Sequence, residues 1–284
     1  MNMKILILGG NRFTGKLFAE KLIRGGYKVT CINRSGTGPV GATNIQLDRH
    51  DGFDMFGVES FDMIFDFCAY IPQDVIDITS RLSTFNTYVF ISSGSVYKDS
   101  DQLLLSVGMP TGGYKAFGHY GVNKMQCESM VMSCNAKWKI IRPPFIIGEH
   151  DPHERIQKIV KICKKIYKSA YKPKLGITPV SLIWETDYVN TLLSIVYQEI
   201  LPNEIINIAG NDIYTGESLA ATVYKYVNDG EYSLDKDVNL GLYQGELYEA
   251  FKFMNQTYML LDNSNFKKSG VGYYLQKYIK SCEE

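Results

Sequence analysis

Short apolar runs alternate with segments of helical periodicity through the first half of the chain. The apolar runs, rich in β-branched and aromatic residues, predict strands at Ile5–Leu8, Lys28–Ile32, Ile45–Leu47, Met63–Phe67, Tyr88–Ile91 and Lys139–Ile141. Apolar positions at helical spacing predict helices at Gly15–Arg24, Pro72–Leu82 and Tyr120–Cys134. Strands with little internal alternation, separated by helices, indicate a parallel sheet covered on both faces. The predicted fold class is α/β, with a doubly wound parallel sheet of the Rossmann type.

The alternation of predicted strands and helices becomes less regular after Gly148, where the sequence predicts a basic helix and a late strand at Ile205–Ala209. We predict a dinucleotide-binding domain over residues 1–148 and a smaller, mainly substrate-binding α/β lobe over residues 149–284. Later segments, at about 180–210, are expected to return to the first domain. The C-terminal tyrosines are expected to pack against or cap the smaller lobe: Tyr273, Tyr274 and Tyr278.

Composition narrows the choice of partners and compartment. Lys plus Arg and Asp plus Glu are balanced at 30 each, so no overall field favours nucleic acid or a membrane surface. The six cysteines show no Cys-x-x-Cys spacing and are expected to be reduced. The N-terminal apolar run is too short for a signal peptide, and no apolar stretch approaches the roughly 18 residues needed to span a bilayer. We therefore predict a cytoplasmic protein without membrane segments.

A glycine-rich turn follows the first predicted strand and opens the first helix. In Leu8-Gly-Gly-Asn-Arg-Phe-Thr-Gly15, Gly9 permits a tight bend and Gly15 allows close packing of helix against strand. The N–H groups at the start of the helix then face a pyrophosphate. The central glycine of such turns is replaced by Arg12, which weakens the motif, and a glycine turn without a ligand is the alternative interpretation.

The residues after the second strand bear on which dinucleotide binds. Sheets that bind NAD usually carry an acid here for the ribose 2′-hydroxyl, but this chain has Asn33 and then Arg34, 18 residues after Gly15. Arg12 and Arg34 are suited to clamp a 2′-phosphate, which favours NADP(H) over NAD(H). Both arginines being simply solvated is the alternative. Asp48, after the third strand, is expected to meet the adenine.

Tyr120 and Lys124 fall one helical turn apart and so share one helix face. An ammonium group near a phenol favours the phenolate, so Lys124 is expected to lower the pKa of Tyr120 into a useful acid–base range. Hydroxyl groups come from Ser92-Ser-Gly-Ser95 at the carboxyl end of the fifth strand, which borders the ligand crevice in such sheets.

Taken together, several segments resemble the extended short-chain dehydrogenase/reductases, which include nucleotide-sugar epimerases, dehydratases and reductases. The resemblance rests on the glycine turn, Asp48-Arg-His-Asp51, Ser92-Ser-Gly-Ser-Val-Tyr97, Tyr120-Gly-Val-Asn-Lys124, Arg142-Pro-Pro-Phe-Ile-Ile-Gly148, Thr186-Asp-Tyr-Val189 and Ile206-Asn-Ile-Ala-Gly210. The turn also resembles an atypical branch with chloroplast RNA-binding relatives, some of which lack the full catalytic set. Serine, tyrosine and lysine are all present here, which favours retained chemistry.

The resemblance implies roles for these residues. Ser93 is expected to bind the reacting oxygen, Tyr120 to act as acid or base, and Lys124 to hold the nicotinamide ribose. Ser95 is the second serine, expected to touch the substrate. The full set of expected cofactor-binding residues is Gly9, Asn11, Arg12, Phe13, Thr14, Gly15, Asn33, Arg34, Asp48, Phe67, Cys68, Ala69, Tyr70, Tyr120, Lys124, Pro143 and Phe145.

Two polar segments admit several interpretations. Glu149-His-Asp-Pro-His-Glu154 matches no usual zinc spacing, so we assign no metal; His150 or His153 is expected to approach the substrate. Residues 155–174 carry eight basic side chains and no acidic one. A solvated surface, an electropositive wall for a nucleotide diphosphate and an RNA-binding surface are the alternatives, with RNA ranked last.

The leading functional hypothesis is an NADP(H)-preferring oxidoreductase that reduces a keto carbon of a nucleotide-linked sugar, most simply a 4-keto-6-deoxy sugar. An NAD-dependent nucleotide-sugar 4-epimerase is the first alternative. An RNA-binding or regulatory protein on the same fold is the third, and nucleic acid is not expected as a partner. Relatives commonly form homodimers through helices that correspond to Pro72–Leu82 and Tyr120–Cys134.

Overall fold

Parallel strands dominate the computed structural model, which describes residues 3–53, 60–82, 84–99, 104–166, 179–197, 203–227 and 271–282. The strands are β1 Lys4–Leu8, β2 Lys28–Asn33, β3 Thr43–Gln46, β4 Ser60–Asp66, β5 Thr84–Ile91, β6 Lys137–Arg142, β7 Phe145–Ile147, β8 Val180–Trp184, β9 Glu204–Asn207 and β10 Ile213–Tyr214. The helices are α1 Phe13–Arg24, α2 Pro72–Arg81, α3 His119–Met132, α4 Arg155–Ile166, α5 Glu185–Tyr197, α6 Gly216–Val227 and α7 Val271–Ser281.

Within the described residues, seven strands form one parallel sheet in the order β3-β2-β1-β4-β5-β6-β9. The strand order reverses between β1 and β4, and doubly wound sheets open their ligand crevice at the carboxyl ends of the strands at such a point. β7, β8 and β10 form a second, three-stranded sheet in the order β10-β8-β7. The predicted α/β class with a doubly wound sheet is confirmed.

The central strand β1 explains why the sheet is covered on both faces. Ile5 and Ile7 pack into one apolar cluster together with Phe18 of α1. Leu6 and Leu8 pack into the opposite cluster, which is built largely from α2, α3 and the neighbouring strands. Successive side chains of a strand point to opposite faces, so an unbroken apolar run requires a layer of helices on each side.

A separate apolar cluster lies outside the seven-stranded sheet. It combines β7 and β8 with α4, α6 and α7. The ring of Tyr274 stacks on that of Trp184 with centroids 5.6 Å apart and an interplanar angle of 4°, and Tyr278 lies beside the same indole at 6.4 Å. The expected packing of the C-terminal tyrosines is confirmed for these two, whereas Tyr273 is 60% exposed.

The predicted elements appear with small shifts at their ends. All six predicted strands of the first half and all three helices are present, and Ile205–Ala209 corresponds to β9, which pairs with β6. The basic helix runs from Arg155 to Ile166, and the rest of the basic segment, to residue 174, lies outside the described residues. The division at residue 148 stays a prediction. None of the helices in the described ranges has the length and apolar character needed to cross a bilayer.

Candidate active site

The glycine turn between β1 and α1 has the backbone that a phosphate site requires. Gly9 has φ +86°, a left-handed conformation that favours glycine. A Cβ atom at Gly15 would collide with the carbonyl oxygen of Gly9. The free N–H groups of the first turn of α1 therefore lie close to the end of β1.

Arg12 occupies the usual central glycine position without backbone strain. Its φ of −142° and ψ of 155° are extended, and it forms the N-cap of α1. The next residue, Phe13, has φ +45° instead, which is uncommon for an aromatic side chain. The turn thus places its unusual conformation at Phe13, and this explains how an arginine is accommodated at residue 12.

A cavity of about 490 Å³ opens beside this turn, across the ends of β1 and β2. Both expected arginines lie in its wall and are exposed, and no carboxylate of the described residues pairs with either guanidinium. Asn33 stands at the end of β2 and is hydrogen-bonded to its own loop, with Ser35 Oγ donating to its Oδ1 at 2.7 Å. The expected cofactor residues in this wall are Gly9, Asn11, Arg12, Asn33, Arg34, Asp48, Cys68 and Tyr70.

A second cavity, of about 610 Å³, continues from the turn towards α3. The cationic side chains Arg12, Lys124 and Arg155 line it, and among the described residues no carboxylate does. The expected residues in its wall are Gly9, Asn11, Arg12, Phe13, Thr14, Gly15, Phe67, Cys68, Tyr70, Ser93, Ser95, Tyr120, Lys124, Pro143, Phe145 and His153. Its charge suits an anionic ligand.

Tyr120 stands at the start of α3 with 39% of its surface exposed. Ser93 lies in the wall of the same cavity, and its Oγ accepts from the backbone N–H of Ser95 at 3.1 Å. Partial burial raises the pKa of Tyr120 to about 12, with Tyr70 adding to the effect and Ser93 opposing it. The expected lowering of this pKa by Lys124 is therefore wrong.

The reason lies in where Lys124 directs its ammonium group. The side chain is buried, and its Nζ donates to the carbonyl oxygens of Ala69 at 2.8 Å and Ile91 at 2.6 Å. Nζ also lies 4.4 Å from the centre of the Phe90 ring. Burial lowers the pKa of Lys124 to about 8, against an opposing effect of Asp66. An ammonium group has three N–H donors, so one remains for a ligand in the cavity.

Ser95 lies in the cavity wall as expected, almost fully buried, and its hydroxyl has no hydrogen-bond partner among the described residues. Two other expected residues line neither cavity. His150 does not line either cavity, because its Nδ1 pairs with Glu185 Oε1 at 2.7 Å. Ala69 also lines neither cavity, and contributes its carbonyl oxygen to Lys124 instead. His153 lines the second cavity, and the approach of His150 or His153 to a substrate and of Ala69 to a cofactor stay predictions.

Sequence reasoning missed two buried ion pairs that support the site. Arg49 forms a bidentate pair with Asp66, at 3.0 and 2.9 Å. Arg142 forms another with Glu128, at 2.9 and 2.6 Å. The available signal was an ionisable side chain inside an apolar run, as Asp66 is within Met63–Phe67, because a buried charge requires a partner.

Comparison with known proteins points to one family. The model of the NAD dependent epimerase/dehydratase family matches residues 5–209. Among solved structures, the UDP-glucuronic acid 4-epimerase from Bacillus cereus, in complex with UDP-glucuronic acid and NAD, superposes with a TM-score of 0.72 at 14% identity, covering 99% of this chain and 100% of that one. The UDP-glucose 4-epimerase from Thermotoga maritima gives 0.71 at 16% identity, with coverage of 99% and 100%. At these identities the superpositions establish the fold alone.

Two curated relatives have names that describe different functions. The chloroplast stem-loop binding protein of 41 kDa b from Arabidopsis thaliana is 26% identical in an alignment 243 residues long that covers 78% of this chain. A decarboxylating sterol-4-alpha-carboxylate 3-dehydrogenase from Dictyostelium discoideum is 24% identical in an alignment 192 residues long that covers 57% of this chain. The chain covers 62% and 58% of the lengths of these two relatives.

Proposed function

The chain belongs to the NAD dependent epimerase/dehydratase family, and we propose that it is an NADP(H)-preferring reductase of a nucleotide-linked keto sugar, with a 4-keto-6-deoxy sugar as the first candidate. The observation that carries the proposal is that Ser93 and Tyr120 line one cavity, which begins at the glycine turn and has no carboxylate from the described residues in its wall. Such a pair of hydroxyls can bind one carbonyl oxygen and supply it with a proton.

When bound, a reduced nicotinamide supplies the hydride, and the glycine turn with the start of α1 fits its pyrophosphate. In the proposed reaction Ser93 donates a hydrogen bond to the ketone oxygen. Tyr120 donates a second bond and passes its proton to the alkoxide as it forms. A pKa of about 12 keeps Tyr120 protonated at neutral pH, as an acid in the reductive direction must be. Lys124 lines the same cavity, where the remaining N–H of its ammonium group can donate to the nicotinamide ribose.

The cofactor preference rests on the cavity beside the turn. Arg12 and Arg34 lie in one wall, and Asn33 takes the place of the acid that binds a ribose 2′-hydroxyl. A 2′-phosphate there meets two guanidinium groups and no carboxylate at the end of β2. NAD is the alternative cofactor, and the B. cereus neighbour binds it.

The direct test is Tyr120→Phe, which removes the acid and keeps the ring. We expect turnover of a nucleotide 4-keto-6-deoxy sugar, followed by NADPH absorbance, to fall by about 100-fold or more while NADPH affinity changes little. Tyr197→Phe is the matched control, since Tyr197 is 58% exposed and lines neither cavity. Turnover unaffected by Tyr120→Phe would remove the proposed acid.

A nucleotide-sugar 4-epimerase is the second candidate, favoured by the two epimerase neighbours. An epimerase oxidises and then re-reduces the same substrate, so it retains its NAD. Purified protein that carries stoichiometric NAD and converts a nucleotide sugar without net change of cofactor would favour this candidate. NADPH that exchanges freely and is consumed would favour the reductase.

An RNA-binding role is the third candidate, and the stem-loop binding relative and the lysines of α4 support it. Lys161 and Lys164 project from a helix whose other face packs into the smaller lobe. RNA binding with a steep salt dependence, together with no nicotinamide-linked turnover, would favour it. The intact Ser93, Tyr120 and Lys124 rank it below the two enzymes.

We further propose a cytoplasmic homodimer that uses α2 and α3. All charged residues of α3, Lys124 and Glu128, are buried, so its outer face carries no charge. On α2, Ile76 is 38% exposed while Asp74 and Asp77 are buried. Arg81 is the one exposed charged side chain of these two helices. A surface with so little charge favours a second copy, and Ile76→Glu should give a monomer in sedimentation. Six free cysteines support the reducing compartment.

A further inference from the structure

The cavity of about 490 Å³ beside the glycine turn is called the adenosine-side cavity, and Arg49 links its wall to a buried carboxylate. The residue lines that cavity, yet only 8% of its surface is exposed. Its Nη1 and Nη2 donate to the two carboxylate oxygens of Asp66 at 3.0 and 2.9 Å. Asp66 ends β4 and is fully buried, and Tyr88 OH donates to its Oδ2 at 2.6 Å. The three side chains form a hydrogen-bonded network beneath the carboxyl edge of the sheet.

The network continues into the segment that follows β4. The backbone N–H of Cys68 donates to Asp66 Oδ1 at 3.0 Å, and Arg49 Nη2 lies 2.9 Å from Cys68 Sγ. Arg49 Nη1 also donates to the carbonyl oxygen of Asp74 at 3.2 Å. The Asp74 carboxylate accepts from the N–H of Tyr70 at 2.7 Å. Arg49 therefore holds residues 68–70 from both ends.

Lys124 depends on the middle of that segment. Ala69, between Cys68 and Tyr70, provides one of the two carbonyl oxygens that hold the Lys124 ammonium, at 2.8 Å. The Tyr70 ring lies 5.4 Å from the same nitrogen. A displacement of residues 68–70 would move one anchor of the ammonium and leave the other, Ile91, in place.

We propose that Arg49 is a positioning residue that acts on Lys124 through residues 68–70, so that the geometry of the adenosine-side cavity is coupled to that of the acid–base group. This proposal rests on the proposed function in one respect, which is that Lys124 contacts a bound nicotinamide cofactor. The substitution Arg49→Lys keeps the positive charge. It removes the planar guanidinium group, which donates hydrogen bonds to both carboxylate oxygens of Asp66 and to the carbonyl oxygen of Asp74.

The test compares two probes and one double-mutant cycle. A bound NADPH would reach across both cavities, whereas 2′,5′-ADP would fill only the adenosine-side cavity. For Arg49→Lys we expect the dissociation constant of NADPH to rise about 10-fold and that of 2′,5′-ADP to change by less than about 2-fold. In a Lys124→Met background the same substitution should raise the NADPH constant by less than about 2-fold, because the group it positions is gone.

Several outcomes would overturn the inference. Equal losses for the two probes would make Arg49 a determinant of the adenosine side alone, and additive costs with Lys124→Met would remove the coupling. Either result, with normal NADPH binding to the wild-type protein, leaves the proposed function intact. No NADPH or NADH binding to the wild-type protein would overturn both. If Arg49→Lys does not fold, the double variant Arg49→Met/Asp66→Asn removes the charge pair as a unit and should show the same difference between probes.

Discussion

The ammonium nitrogen of Lys124 lies 2.6 Å from the carbonyl oxygen of Ile91, the last residue of β5. This contact joins the middle of α3 to the carboxyl edge of the central sheet. A lysine side chain is flexible, and here its charged end is fixed by the strand and by Ala69 rather than by a carboxylate. The charge is thereby available to a ligand, at the cost of a pKa lowered by burial to about 8.

Cofactor affinity should depend on pH through Lys124. The folded-state pKa lies below the ordinary value of 10.5, so the ammonium is present below about pH 8 and is lost above it. NADPH binding, measured by fluorescence titration from about pH 6 to about pH 10, should weaken as the pH rises through about 8. The Lys124→Met variant should bind more weakly and show no such step. A step that persists in that variant would assign it to another group.

The 2′-phosphate preference should depend on Arg34. Arg34→Ala is expected to raise the dissociation constant of NADPH about 10-fold and leave that of NADH nearly unchanged, since one charge-assisted contact is lost. Arg24→Ala is the matched control, because Arg24 ends α1 and lines neither cavity. Equal effects of Arg34→Ala on the two cofactors would contradict the phosphate clamp.

The close approach of α1 to β1 should not tolerate a side chain at residue 15. Gly15→Ala is expected to reduce NADPH binding by about 10-fold or more, because backbone atoms of the phosphate turn must move. Gly112→Ala is the control, where the added carbon would meet Lys98 Cγ at 3.6 Å, an ordinary contact. The NADPH dissociation constants of both variants are measured by calorimetric titration. A wild-type affinity in Gly15→Ala would show that the turn does not hold the pyrophosphate.

The Glu128–Arg142 pair should contribute to stability as a unit. Both residues are buried, and Ser92 Oγ also donates to Glu128 Oε1 at 2.6 Å. Arg142→Met leaves the carboxylate without its cation, and we expect the free energy of unfolding in urea to fall by about 3–5 kcal/mol. The double variant Glu128→Leu/Arg142→Met should lose less than Arg142→Met alone. A larger loss in the double variant would contradict this account.

The sequence predicted what depends on local pattern. β1 was identifiable because Ile5–Leu8 is apolar throughout, as a strand buried on both faces requires. The turn was identifiable because glycine at residues 9 and 15 has steric reasons that apply before any tertiary structure is known. By contrast, β7 is only three residues long, and α5 starts directly after β8, so neither had a clear separating signal.

The ion pairs and the pKa direction that sequence reasoning missed depend on which residues, distant in the chain, come together in the folded structure. Asp66 was placed correctly in a strand, but its partner Arg49, 17 positions earlier, follows from the sheet topology. The direction of the Tyr120 pKa was wrong because spacing along a helix does not reveal burial or where a lysine points. The pairing of His150 with Glu185, 35 positions away, was missed for the same reason.

The place of β9 at the edge of the sheet has a consequence for the order of folding. β9 pairs with β6, and the contact between Trp138 and Asn203 joins positions 65 apart, with all of α4, β8 and α5 between them. During synthesis β6 is therefore complete long before its neighbour exists. Until then its backbone is an open edge beside the apolar side chains of Ile140 and Ile141, and such edges are sites of mispairing and aggregation. The second half of the chain thus protects the nascent sheet as well as extending it.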